Sequence, residues 1–154
     1  RPPPRVFNGG RAFPAPEGSL MTLVPLIEYE AASAAVRAVY DDIRATRKTD
    51  FINNFWKVLA NDPATLARTW TNVKEVMGEG VLDPLVKELI YVAVSVTNNC
   101  EYCIHSHTAG ARAKGMTPAM HGELMAVVAL AKATNRLANG YRVDVDERFR
   151  APFS

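Results

Sequence analysis

Three dipeptides constrain this chain more than any other feature: Asp62-Pro63, Asp83-Pro84 and Thr117-Pro118. Each joins a side-chain oxygen able to accept from the unpaired amides of a helix start to a proline, whose missing N–H does no harm in a first turn. After Asp62-Pro63, residues Leu66, Trp70, Val73 and Met77 fall on one helical face, and Gly78 and Gly80 mark its end. After Asp83-Pro84 comes a run from Leu89 to Val94 so apolar that its helix, reaching about Thr97, should be covered on most sides. The β-branched residues of that run would also suit a strand. Its length and clear cap favour a helix. After Thr117-Pro118 a last helix is expected to about Asn139, with Gly140 as its stop.

Two further helices and one short segment complete the pattern. Val36, Val39, Tyr40 and Ile43 recur at i, i+3, i+4 and i+7, which predicts a helix over about Ala32 to Arg47. A short segment begins at Phe51 and ends near Ala60. Asn99 reads as the N-cap of a helix from about Cys100 to Lys114, with Gly115 at its C′ position. The expectation is an all-α, single-domain helical bundle.

The 154 residues fit one domain, and 48% hydrophobic composition is enough for a sizeable core. The domain is expected over residues 21–154. Residues 1–20 differ: they hold prolines at 2, 3, 4, 14 and 16 and glycines at 9, 10 and 18. They lack the apolar stretch of a secretory signal and read as an extended arm or leader that orders only by packing on a surface, such as a neighbouring subunit. A net charge of +2 without a basic, aromatic-interleaved stripe speaks against nucleic acid. No apolar run is long enough for a membrane span.

The chemistry is concentrated at Cys100-Glu101-Tyr102-Cys103, which holds the only two cysteines. Two thiols cannot build a disulfide framework, and a reducible pair in an otherwise cysteine-free chain suggests the cytosol. Cys100, Cys103 and His107 lie at i, i+3 and i+7, on one helical stripe. Residues at i and i+3 have Cα atoms about 5 Å apart, inside the disulfide range, so the pair can close within one turn. Unpaired amides and the positive end of the helix dipole favour a thiolate there. Buried structural cysteines are the plain alternative.

His107 lies i+4 from Cys103 and can carry a proton to or from its sulfur; alone, it would be read as a core histidine. Glu88 shares a face with Leu85, Val92 and Val96, where leucine is expected. It reads as a carboxylate that orients and charges His107, or else as an edge residue or an ion-pair partner of Arg112. His105 points away from this stripe, and His121 could arrive only through tertiary packing. Phe51, Phe55, Trp56 and Tyr102 are core or pocket-wall aromatics. Metal is the chemical rival. Cys100 and His107 are about 10.5 Å apart along a helix, which one zinc with bonds of about 2.1–2.3 Å barely bridges. No metal and no cofactor are expected.

From Phe51 to about Tyr141 the chain resembles the alkylhydroperoxidase D-like branch of the carboxymuconolactone decarboxylase family. The resemblance rests on Leu82-Asp83, Lys87-Glu88-Leu89, Asn99-Cys100-Glu101-Tyr102-Cys103, His107 and Gly115-Met116-Thr117. Upstream, Leu26-Ile27-Glu28 through Asp41-Asp42-Ile43 is similar to the start of peroxidase-related members. The resemblance implies an all-α domain in homo-oligomers, trimers or hexamers, and a peroxide-reducing dithiol site without haem or flavin. It implies Cys103 as the peroxidatic cysteine, Cys100 as the resolving one, and Glu88 and His107 as the proton relay. The implied partners are a hydroperoxide and an external dithiol or dithiol protein. The pattern departs at Tyr102, where the family's peroxidases carry a histidine, so a relay through that imidazole is absent. The decarboxylases of this fold lack the cysteine pair, which argues against lactone decarboxylation. The other readings are a protein-disulfide reductase and a redox-sensing oligomer without peroxide turnover.

Overall fold

A computed structural model describes residues 22–150 and Pro152. The proline-rich arm expected over 1–20 lies outside the described residues. All the regular structure described is helical: α1 (Ala34–Arg47), α2 (Asn54–Leu59), α3 (Pro63–Met77), α4 (Pro84–Thr97), α5 (Glu101–Ala113) and α6 (Pro118–Tyr141), with 3-10 turns at Tyr29–Ala31 and Glu147–Phe149. The all-α expectation holds. Among the described residues no helix is long and apolar enough to cross a membrane. The chain divides within α3 into two compact units, one ending at Asn72 and one starting at Val73.

In the first unit the periodic residues of α1 turn inward, and Val36, Tyr40 and Ile43 are buried. Ser33 caps α1 by accepting from the Val36 amide at 3.3 Å. Trp56 and Trp70 meet edge to face with centroids 5.5 Å apart. The Trp70 indole donates to Asp42 at 2.8 Å, so its one polar group is satisfied at the edge of the apolar cluster. Tyr40 is fully buried, with its hydroxyl on the Ile27 carbonyl at 2.8 Å. Trp56 therefore belongs to this core, whereas Phe51 and Phe55 are exposed.

The second unit carries the cysteines. The start signals act as expected: Asp83 accepts from the Leu85 amide at 2.8 Å, and Thr117 accepts from the Met120 amide at 3.2 Å. Helix α5 packs along α4, and α6 packs on α4 as well. The Lys87 ammonium ties the end of α3 to α4 by donating to the carbonyls of Val76 at 2.8 Å and Gly78 at 2.7 Å. Gly115, at φ 97°, ends α5 in a six-to-one motif, with the Met116 amide on the Ala111 carbonyl at 2.9 Å and the Gly115 amide on Arg112 at 3.0 Å.

Two expected boundaries shift. Gly140 does not stop α6, which runs on to Tyr141; the left-handed residue that ends it is Arg142, at φ 50°. A glycine weakens a helix by about 1 kcal/mol but does not oblige it to end. The N-cap of α5 is Cys100, not Asn99, and Asn99 takes up the left-handed turn at φ 56° that asparagine tolerates. Helix α6 buries none of its residues, and Val127, Leu130, Leu137 and Tyr141 are exposed along it. On α4, Val86, Ile90 and Val94 form a second exposed apolar row at four-residue steps.

Candidate active site

Helix α4 ends at Thr97, and the chain turns through Asn98 and Asn99 into α5. The Cys100 amide closes this turn on the Ser95 carbonyl at 3.0 Å. Cys103 then stands at the third helical position, inside the first turn whose amides lack intrahelical partners. Cys100 and Cys103 are joined as a disulfide with Cα atoms 5.3 Å apart, the separation that the i, i+3 spacing predicts.

One turn beyond Cys103, and again at the C-cap of α5, come His107 and Lys114, the groups that meet Glu88. The carboxylate is nearly buried at 7% exposure. Its Oε2 pairs with Nδ1 of His107 at 2.7 Å, and its Oε1 accepts from Nζ of Lys114 at 2.7 Å. Burial pushes the Glu88 carboxyl up. The hydrogen bonds from His107 and Lys114, with their charges, outweigh burial and hold it below the usual range. An ionised carboxylate only accepts, so Nδ1 carries a proton, and in the neutral ring Nε2 holds the lone pair.

Glu88 can reach this position because residue 110 is glycine. A Cβ built there would lie 2.9 Å from Oε1, 3.0 Å from Cδ and 3.1 Å from Oε2 of Glu88. The imidazole is also covered on one face by Tyr91, with ring centroids 3.5 Å apart and planes inclined by 17°.

The four residues singled out from the sequence thus fall into two bonded pairs, Cys100 with Cys103 and Glu88 with His107. His105 is exposed. Sequence reasoning offered Arg112 as the cation for Glu88, and the structure gives that place to Lys114. Lys114, Gly110 and Tyr91 were missed. The available signals were a glycine in mid-helix, a lysine two turns beyond His107, and a tyrosine one turn beyond Glu88.

Comparison with known proteins identifies the family and the fold. A model of the carboxymuconolactone decarboxylase family matches residues 64–145. The crystal structure of the alkylhydroperoxidase AhpD core from Rhodospirillum rubrum is 56% identical and superposes with a TM-score of 0.82, covering 86% of this chain and 99% of that one. A curated relative, uncharacterized protein 4 in the cox locus of Paracoccus denitrificans, is 46% identical over 44 residues, which span 29% of this chain and 40% of the relative. The chain belongs to the carboxymuconolactone decarboxylase family, in its alkylhydroperoxidase D-like branch, and carries the bonded cysteine pair of a redox protein.

Proposed function

We propose that the protein is a thiol peroxidase that reduces hydroperoxides through a dithiol–disulfide cycle. The Cys103 thiolate attacks the O–O bond, which breaks to give a sulfenic acid on Cys103 and an alcohol or water. The Cys100 thiol condenses with that sulfenic acid, forming the disulfide and releasing water. An external dithiol or dithiol protein then reduces the disulfide by exchange and is itself oxidised. His107 moves the thiol proton, directly or through one water, and Glu88 holds its ring.

The observation that carries this reading is the pairing of Cys100 with Cys103 on the same α5 stripe as an imidazole whose Nδ1 is held by a buried carboxylate. Cys103 takes the nucleophile role because His107 lies one turn from it, while Cys100 caps the helix tip, where a reductant can meet it. The 56% identity to the Rhodospirillum rubrum alkylhydroperoxidase core supports the same chemistry. A cytosolic setting, where thiols are kept reduced, suits the cycle. The exposed apolar rows of α4 and α6 support a homo-oligomer, a trimer or hexamer, built from the helical domain of residues 21–154.

The test is steady-state peroxide consumption with a panel of dithiol donors, for the wild type and Cys103→Ser. Turnover that requires Cys103 supports the proposal. Disulfide exchange with protein substrates in the absence of peroxide turnover would make the protein a disulfide reductase. A change in oligomer mass on oxidation without either activity would make it a redox-sensing assembly.

A further inference from the structure

The cycle above gives no task to Tyr91, yet its ring is stacked on the His107 imidazole at 3.5 Å between centroids. Glu88 and Tyr91 stand one turn apart on α4, so both reach across to the same residue of α5. They restrain the ring in different ways. The 2.7 Å hydrogen bond to Glu88 acts in the imidazole plane and leaves the ring free to roll about the N–H···O axis. The stack acts on the face and removes that roll, but alone it would let the ring slide within its own plane. Together they leave one orientation for Nε2. Tyr91 is 38% exposed, so filling the interior does not account for its place.

We propose that Tyr91 is a positioning residue for the thiol chemistry, acting through its ring face on His107 and not through its hydroxyl. The inference rests on the relay role given to His107 above. Reacting groups held in one geometry gain rate without new contacts, and a small misplacement of a proton-transfer partner is felt at the reacting atom. Phenylalanine at 91 would keep the stacked face, and leucine would remove it.

The experiment uses the reduced full-length protein and needs no peroxide. Iodoacetamide alkylation of Cys103 is followed at neutral pH by peptide mass spectrometry for wild type, Tyr91→Phe, Tyr91→Leu and His107→Ala. NMR of the imidazole protons reads the stack directly. The expected result is a slowing by roughly tenfold in Tyr91→Leu, wild-type rates in Tyr91→Phe, and an upfield displacement of the His107 protons present in wild type and Phe but absent in Leu. Wild-type alkylation in Tyr91→Leu beside a slowed His107→Ala overturns the role of Tyr91 and leaves the relay standing. Equal losses in Phe and Leu overturn it in favour of the hydroxyl. Unslowed alkylation in His107→Ala removes the relay and this inference with it. If Tyr91→Leu does not fold, undisplaced His107 protons in the wild type are enough to overturn the stack.

Discussion

Gly110 and Glu88 stand so close that a single methyl at 110 would lie 2.9 Å from Oε1 of the carboxylate. In an ordinary helix interior, Gly→Ala stabilises by about 1 kcal/mol. Gly110→Ala is expected to lose that gain, because the carboxylate must leave His107 or Lys114 to make room. A thermal melt should show no rise, and Cys103 alkylation should be slower than in wild type. A melt raised by several degrees with unchanged thiol reactivity would mean that the carboxylate has other room.

The acid limb of stability should carry the mark of Glu88. Its carboxyl is held below the ordinary value of 4.5, so its contribution is present above that pH and is lost as the pH falls through the lowered folded value. Urea midpoints measured from pH 6 down to 3 should fall less steeply in Glu88→Gln than in wild type. At neutral pH the same variant should be less stable by about 1–3 kcal/mol, since it weakens charge-assisted hydrogen bonds to His107 and Lys114. Parallel acid limbs in the two proteins would contradict the lowered carboxyl.

The two cysteines should divide their labour. Mild peroxide should lower the intact mass of the reduced protein by about 2 Da, restored by dithiol, as an internal disulfide requires. Cys100→Ser should form a sulfenic acid on Cys103 that a dimedone-type probe traps, while multiple turnover stops. Cys103→Ser should trap nothing. The opposite pattern hands the nucleophile role to Cys100.

Helix α6 should be an assembly surface. Leu130 and Leu137, seven residues apart and both exposed, lie on one long face of a helix none of whose residues is fully buried. Leu130→Glu with Leu137→Glu should lower the mass measured by light scattering at micromolar concentration and leave the reduced thiols as reactive as before. A wild type that scatters as a 16.9 kDa monomer removes the premise.

What the chain disclosed beforehand followed from how local the physics was. The start of α4 was legible because Asp83 and Pro84 act within one turn, and the disulfide because i, i+3 spacing is set by helix geometry alone. Glu88 stood out as a carboxylate on an apolar face, and its partner on α5 could be named because His107 shares the cysteine stripe. Lys114 was not legible. A lysine at a helix end ordinarily serves the carbonyls there, and only the docking of α5 on α4 turns it onto Glu88. Tyr91 was hidden within an apolar run where every side chain looked like packing. The end of α6 was misplaced because the residue that takes the left-handed turn is Arg142, a type that does not advertise it.

All the groups of the site, from Glu88 to Lys114, lie on one unbroken stretch of chain formed by two consecutive helices. Active sites assembled from distant segments depend on the whole topology to meet. Here a helical hairpin carries both cysteines, the imidazole and the side chains that touch it. Such a site is a cassette in the plain sense that one continuous segment holds it. Grafting the α4–α5 hairpin onto another helical scaffold would carry over the two cysteines, His107, Glu88, Tyr91 and Lys114 together.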